Sequence, residues 1–225
     1  MLLKLTNSQH FFKKCKNICK NDKNEGVFNM KIIKNAVFMK SESDVENYKG
    51  FDLPEIILVG RSNVGKSSFI NMLSNNSKLA KVSATQGKTK LINFFLINKE
   101  FVLVDLPGYG YAATSKLEQQ RWTKMINSYL ETSKQIASEI LLVDIRHTPT
   151  AQDIEMLDYL TFQNIPVTIV ATKYDKIKKS DRAKRLQDIA STLKVGIENI
   201  YLISSETAYG KDNIVSRIYQ FVDGV

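Results

Sequence analysis

The sequence predicts a three-layer α/β fold, a mostly parallel sheet with helices on both faces. Three observations carry this. From Glu55 onward, apolar runs and helical patterns alternate along the chain, the order expected of strands joined by helical crossovers. The run Ile56-Ile57-Leu58-Val59 is apolar without a break, as a strand buried on both faces requires. A glycine-containing turn, Gly60 to Gly65, joins that run to a helical pattern. Sheets of this kind bind ligands at the carboxyl ends of their strands. The chemically distinctive loops below all fall at that end.

The elements follow in order. Residues 1–29 are rich in Lys and Asn, sustain no period, and are expected to form a flexible or weakly helical extension. Met30 follows, where a later start would also fit. The folded part, residues 30–225, begins with a short strand at 32–38. After strand 56–59 comes a helix over 66–73. Strands 91–97 and 101–104 are separated only by Asn98-Lys99-Glu100, so they form an antiparallel hairpin. Ser115-Lys116-Leu117-Glu118 has the capping-box pattern and opens a helix to about 130, with Trp122, Met125, Ile126 and Tyr129 as its apolar face. Strand 140–143 follows. Thr150-Ala151-Gln152-Asp153, after Pro149, starts another helix. Strand 167–171, a helix over 180–193, strand 200–203 and a helix over 212–221 complete the chain.

Composition excludes several classes. The chain has 225 residues, 43% of them hydrophobic and 24% charged, which is enough for a core and rules out wholesale disorder. No apolar run approaches the roughly 18 residues a membrane helix needs, and the N-terminus lacks a signal-like apolar stretch. Cytoplasmic residence without stable membrane insertion is expected. The two cysteines, Cys15 and Cys19, fall short of the four ligands of structural zinc even with His10, and fit free thiols in a reducing compartment. Net charge is +9. Residues 1–29 carry six Lys against Asp22 and Glu25, and residues 173–185 carry seven basic residues against Asp175 and Asp181. Such clusters favour phosphate-rich partners, although a solvated Lys-rich surface gives the same composition.

Gly60-Arg61-Ser62-Asn63-Val64-Gly65-Lys66-Ser67-Ser68 fits G-x-x-x-x-G-K-[ST] between a strand and a helix. The glycines let successive N–H groups turn toward phosphate oxygens, and the helix N-terminus adds partial positive charge. Lys66 should reach the β- and γ-phosphates, and Ser67 should offer its hydroxyl to Mg²⁺. Asp105-Leu106-Pro107-Gly108 closes the strand about 40 residues later. Its carboxylate can hold Mg²⁺ through water, and the Gly108 N–H can contact the γ-phosphate, so losing that phosphate would release the loop. Thr172-Lys173-Tyr174-Asp175 ends another strand. A carboxylate there can accept two parallel hydrogen bonds from guanine N1–H and its amine, which adenine does not offer. The Lys173 stem can lie along the base. Ile203-Ser204-Ser205 and Glu206 can present backbone N–H groups to guanine O6.

These motifs resemble the translation-factor-class GTPases of the P-loop superfamily. With Thr85-Gln86-Gly87-Lys88-Thr89, Asn93-Phe94-Phe95, Tyr109-Gly110-Tyr111-Ala112 and Asp144-Ile145-Arg146-His147, residues 31–225 resemble more narrowly the EngB (YihA/YsxC) family of ribosome-biogenesis GTP-binding proteins. The resemblance implies a six-stranded sheet flanked by five helices. It implies Gly87 and Lys88 at the nucleotide, and Thr89 as the switch threonine that completes Mg²⁺ coordination. It places Thr172 where the commoner pattern has Asn, with loss of the amide bridge. It implies a GTP-to-GDP switch that acts with the large ribosomal subunit or its precursors, through rRNA and ribosomal protein and not DNA, with a monomer favoured.

Hydrolysis demands an in-line water and charge stabilisation. The position after Gly108 is Tyr109, whose phenol does not copy a carboxamide, so intrinsic turnover is expected to be slow. Similar GTPases use an Asn at the position of Asn63 to hold K⁺ beside the phosphates; the simpler role is a turn hydrogen bond. The catalytic set is then Lys66, Thr89, Gly108 and Asn63. Arg146 is expected to anchor its loop and His147 to cap the next segment. Trp122 and Tyr129 fit a core face, whereas Tyr109 and Tyr111 are expected to meet a partner in one nucleotide state. Two other functions compete. One is a GTP-dependent module for a protein or membrane partner in cell division, septation or transport, without RNA contact. The other is an ATP-using kinase, which Asp175 argues against.

Overall fold

A computed structural model describes residues 31–43, 45, 48, 50–81, 91–110 and 116–224. Its strands are β1 (Ala36–Glu42), β2 (Glu55–Gly60), β3 (Ile92–Ile97), β4 (Phe101–Asp105), β5 (Ile136–Asp144), β6 (Val167–Thr172) and β7 (Ile200–Leu202). Its α-helices are α1 (Lys66–Ser74), α2 (Lys116–Thr132), α3 (Ala151–Phe162), α4 (Arg182–Leu193) and α5 (Lys211–Val222). The strands form one sheet in the order β1-β3-β4-β2-β5-β6-β7. Pairing is parallel from β4 through β7 and antiparallel at β1–β3 and β3–β4.

Alternate residues of each central strand serve opposite faces, as period-2 geometry dictates. Ile57 and Val59 join one core with Tyr129 of α2, Leu160 of α3 and Ile189 of α4. Ile56 and Leu58 join the other with Phe69 of α1 and Ile214 of α5. Both faces are therefore covered, and β2 reads as a continuous apolar run because none of it meets water. The chain runs from β2 outward to β4 and then crosses to β5 on the other side of β2. That reversal opens a crevice at the carboxyl end of β2.

The sheet has seven strands where six were expected. Six is the number the resemblance implies, whereas the element-by-element reading already includes the first strand; that strand, β1, pairs with β3 alone and forms an edge. It also lies further along than expected, because only one of its faces packs and its mostly exposed residues leave no buried period to mark its bounds. A register shift between Phe38 and Lys40 kinks it, a common protection of an open edge. The hairpin between β3 and β4 turns on Asn98 and Lys99, both with positive φ (50° and 61°). That geometry matches the twist of paired strands. Strand β5 begins four residues earlier than expected, and α4 begins after a single 3₁₀ turn at Lys179–Asp181. The extension 1–29, with His10, Cys15 and Cys19, lies outside the described residues. Among the described residues no group of three or more His, Cys, Asp and Glu could hold a metal ion, and no helix is long and apolar enough to cross a membrane.

Candidate nucleotide site

The turn at the end of β2 is built by backbone restraint. Gly60 has no room for a side chain: a Cβ there would lie 2.9 Å from both the Leu142 carbonyl and a Val64 methyl carbon. Asn63 and Gly65 take positive φ (63° and 113°), and α1 begins at the next residue, Lys66. Val64 N–H donates to the Arg61 carbonyl at 3.1 Å, and Phe69 N–H to Gly65 at 2.8 Å. The exit of β4 is fastened alongside, with Ser62 N–H donating to the Tyr109 carbonyl at 2.9 Å. A Cβ on Gly108 would lie 3.0 Å from both Lys66 Nζ and Ser62 N. The structure thus brings Gly60, Arg61, Ser62, Gly65, Lys66 and Gly108 together.

Lys66 and Asp105 share this place. Burial pulls the Lys66 ammonium below its ordinary pKa, and Asp105 opposes the pull. Burial pushes the Asp105 carboxyl up, against the influence of Lys66 and an Asn93 hydrogen bond. Asn93 Nδ2 donates to Asp105 Oδ2 at 3.4 Å, while Asp105 Oδ1 is buried with no hydrogen-bond partner among the described residues. An orphaned carboxylate oxygen is costly, and a hard cation with oxygen ligands would satisfy it. Ser67, the second residue of α1 and next to Lys66 in the chain, would add a neutral hydroxyl oxygen. The donor set therefore fits Mg²⁺. Ser68 follows on the same helix and is half-buried.

The base-side motif is tied to the same loop. Thr172, at the end of β6, is buried, and its hydroxyl lies 2.7 Å from the Val64 carbonyl and 3.1 Å from that of Val143. The amide is absent, as the resemblance implies, but the Thr172 hydroxyl fastens the end of β6 to the phosphate loop. Lys173 has φ 62°, and its ammonium donates to the Asn63 carbonyl and to Asp144 Oδ2, each at 2.8 Å. Asp144 also receives Arg146 Nε and Nη2 at 2.9 and 2.7 Å. Although desolvation opposes it, the bonds from Arg146 and Lys173 hold the Asp144 carboxyl down at about 2. Arg146 thus anchors its loop as expected.

Beyond Lys173, Asp175 accepts Ser204 Oγ at 2.6 Å and meets Lys176 Nζ at 3.0 Å. Those bonds outweigh desolvation and lower the Asp175 pKa. The carboxylate is therefore charged and oriented. Ser204 is buried and Ser205 half-buried beside it.

Some expected residues serve the scaffold. Val64, Leu106 and Ile203 are buried apolar side chains, so only their backbones remain for a ligand. Ile203 is further engaged, donating to Ala171 at 2.9 Å and accepting Tyr174 N–H at 3.0 Å. The Pro107 carbonyl accepts Trp122 Nε1 at 2.8 Å. His147 does not cap α3. That role falls to Thr150 and Asp153, whose carboxylate accepts the Thr150 N–H at 2.7 Å. Asn63 makes no side-chain turn bond among the described residues; its side chain is exposed and its positive φ suits Asn. Gly87, Lys88, Thr89 and Tyr111 lie outside the described residues.

Tyr109 is corrected. It is 9% exposed, its hydroxyl donates to Asp153 Oδ1 at 2.8 Å, and its ring meets Trp122 edge-on at 6.4 Å. It holds the β4 exit against α2 and α3, and does not face a partner here. Sequence reasoning missed this tether; the one available signal was Asp153 in a capping pattern, which explains only its own helix.

Comparison with known proteins agrees with this geometry. Residues 55–173 match the family of 50S ribosome-binding GTPases, MMR_HSR1. A probable GTP-binding protein EngB from Pelotomaculum thermopropionicum is 46% identical over 191 residues, covering 84% of this chain and 96% of that protein. Its counterpart from Bacillus cereus is 48% identical over 193 residues, covering 85% and 97%. The chain belongs to the EngB family. This EngB-family chain is accordingly a GTP-binding GTPase. A solved probable GTP-binding protein engB superposes with TM-score 0.65 at 26% identity, over 76% of this chain and all of the other. Era from Aquifex aeolicus, bound to GDP and aluminium fluoride, shares the fold at TM-score 0.59 and 21% identity, over 76% of this chain and 57% of Era.

Proposed function

We propose that this EngB-family protein is a slowly hydrolysing GTP switch, resident in the cytoplasm, that assists assembly of the large ribosomal subunit. One observation carries the reading. The guanine motif and the phosphate loop are fastened directly together, through Thr172 to Val64 and Lys173 to Asn63, in a chain that matches a family described as 50S ribosome-binding. Base and phosphates are then held by one connected surface.

The geometry of the described residues supports the following roles, to which the resemblance adds those of Gly87, Lys88 and Thr89. The N–H groups of residues 61–68 and the Lys66 ammonium bind phosphate oxygens. Asp175 accepts the two guanine donors, and Ser204 orients it. The Lys173 stem flanks the base, while its ammonium is spent on Asn63 and Asp144. Ser67 and Asp105, with Thr89, would hold Mg²⁺. When bound, that ion would supply charge neutralisation at the phosphates. Gly108 lies close enough to Lys66 to sense the γ-phosphate through its N–H. Gly87 and Lys88 lie on the switch segment before Thr89.

Turnover is expected to be slow because Tyr109, the residue after Gly108, offers no carboxamide to position a water. The Tyr109 hydroxyl is committed to Asp153, so turnover below roughly 1 s⁻¹ is expected. Exposed Asn63 is free to ligate K⁺ beside the phosphates. Hydrolysis then runs faster in K⁺ than in Na⁺ at equal ionic strength, and Asn63→Ala removes the difference. Equal rates in both salts would leave Asn63 a turn residue.

The test is sedimentation with purified large-subunit precursors across a salt series, with GDP and a non-hydrolysable GTP analogue. Tighter binding in the analogue state is expected, because the γ-phosphate fixes loops that a partner can read. Neutralising about three to five phosphates gives a slope of log affinity on log salt of roughly −2 to −4. Binding with neither dependence would favour a protein or membrane partner instead.

A further inference from the structure

A second aromatic site stands beside the guanine motif. Tyr174 lies between Lys173 and Asp175 in sequence, and its ring stacks on Tyr209 at 4.7 Å with 22° between planes. The Arg182 guanidinium carbon sits 4.1 Å from the Tyr174 ring centre. Arg182 Nε is buried with no hydrogen-bond partner among the described residues, so the ring holds this part of the guanidinium and an acceptor does not. Tyr209 is 50% exposed. Part of an aromatic surface is therefore open to solvent at the end of a guanidinium–tyrosine–tyrosine stack.

The turn that carries Tyr209 is fastened by backbone hydrogen bonds. Ser204 N–H donates to the Tyr209 carbonyl at 3.1 Å, and Thr207 N–H to Ser204 Oγ at 3.1 Å. Ala208 and Gly210 flank Tyr209 with φ of 56° and 75°. A Cβ on Gly210 would lie 2.0 Å from the Leu202 carbonyl, so the turn accepts only glycine there. The chain from Tyr174 returns to it at Arg182, closing a loop that carries Lys178 and Lys179. Both lysines are exposed, and neither has an ion-pair partner among the described residues. Lys176 is already engaged by Asp175 and Glu206.

We propose that Tyr209, backed by Tyr174 and Arg182, with Lys178 and Lys179 on the segment that joins those two residues, binds single-stranded RNA by stacking one unpaired base. Every base offers a π-face, and stacking on an exposed aromatic beside backbone-reading cations is the usual single-strand device. The cations face phosphates and the ring faces the base. A ring on a fastened turn adds little ordering cost on binding. The choice of RNA rests on the ribosomal reading above.

The experiment is fluorescence anisotropy of a labelled ten-nucleotide unstructured RNA with GDP-bound full chain. Tyr209→Ala is expected to weaken binding by about fivefold to a hundredfold, the range for one stacked base. Tyr209→Phe should bind like the wild type, because the ring and not the hydroxyl is used. GDP affinity, measured by calorimetry, should not change in Tyr209→Ala. Lys178→Ala with Lys179→Ala should reduce the salt slope by about 1.4. In Tyr209→Trp, RNA should quench the new indole, a signature that a merely structural stack does not produce. Binding by Tyr209→Ala within twofold of wild type, or no quenching in Tyr209→Trp, overturns the proposal. Equal affinity for a duplex of the same length also overturns it. Intact association with ribosomal particles in Tyr209→Ala, with unchanged oligonucleotide binding, sinks the stacking face alone. Tyr209-dependent oligonucleotide binding without particle association supports the face and sinks the ribosomal reading.

Discussion

Thr172 has one hydroxyl proton, and the fold sets two carbonyls within its reach, those of Val64 and Val143. The residue is 2% exposed, so no water replaces the bond if the hydroxyl is removed. Thr172→Val keeps the shape and leaves a carbonyl unpaired, a loss of about 1–3 kcal/mol in stability. Part of that loss falls on the phosphate loop, so GDP should bind about tenfold more weakly. Thr172→Asn restores a donor and should bind close to wild type. Urea unfolding and calorimetric titration read the two effects, and unchanged GDP affinity in Thr172→Val would show that the fastening does not organise the loop. The residue scale also marks where sequence reading works. Gly60, Gly65 and Lys66 were legible because backbone turn and charge are dictated within eight residues. Tyr109 was misread because its partner, Asp153, is 44 residues away in sequence, and no local pattern reports such a contact.

Strand β5 shows the same limit for an element. Residues 140–143 were legible as an apolar run, but the strand starts at Ile136 and carries Ser138 and Glu139 inward. Both are buried against expectation for their type. Glu55 on the neighbouring β2 is equally buried but accepts hydroxyls from Tyr48, Tyr129 and Ser133, a satisfied set that accounts for its place. Glu139 has no hydrogen-bond partner for either oxygen among the described residues, and burial pushes its carboxyl up to about 8. The folded pKa exceeds the unfolded one, so the folded state binds the extra proton. Its effect is most favourable to folding below about pH 4.5, is lost as pH rises toward about 8, and then levels off. On linkage this amounts to on the order of 3 kcal/mol between pH 5 and 8. Glu139→Gln removes the titration. Wild type should therefore lose more stability than Glu139→Gln over that interval in urea unfolding. Parallel pH profiles would place the charge elsewhere.

At the scale of the whole molecule, the candidate nucleotide site draws on five strands of the sheet. Gly60 ends β2 and Lys66 opens α1; Asp105 ends β4; Asp144 ends β5; Thr172 ends β6; and Ser204 follows β7. Helices from both faces meet there, because α1 lies on one side of the sheet and α3, which holds Tyr109 through Asp153, on the other. This much was foreseeable from the alternation of elements, which puts every such loop at one end. A ligand that spans those loops binds only the assembled sheet, so its binding energy opposes global unfolding and not merely local opening. GDP at 100 times its dissociation constant should add about 2.7 kcal/mol. For a domain of this size that raises the midpoint of thermal unfolding by roughly 5–11 °C. Lys66→Ala should keep the unliganded midpoint, or raise it slightly, since burial already disfavours the Lys66 charge. It should lose the GDP-induced rise, because the ammonium serves the phosphates and not the core. Scanning both proteins with and without GDP measures the four values. A full GDP-induced rise in Lys66→Ala would remove that lysine from the site, and a fall in the unliganded midpoint would make it part of the scaffold.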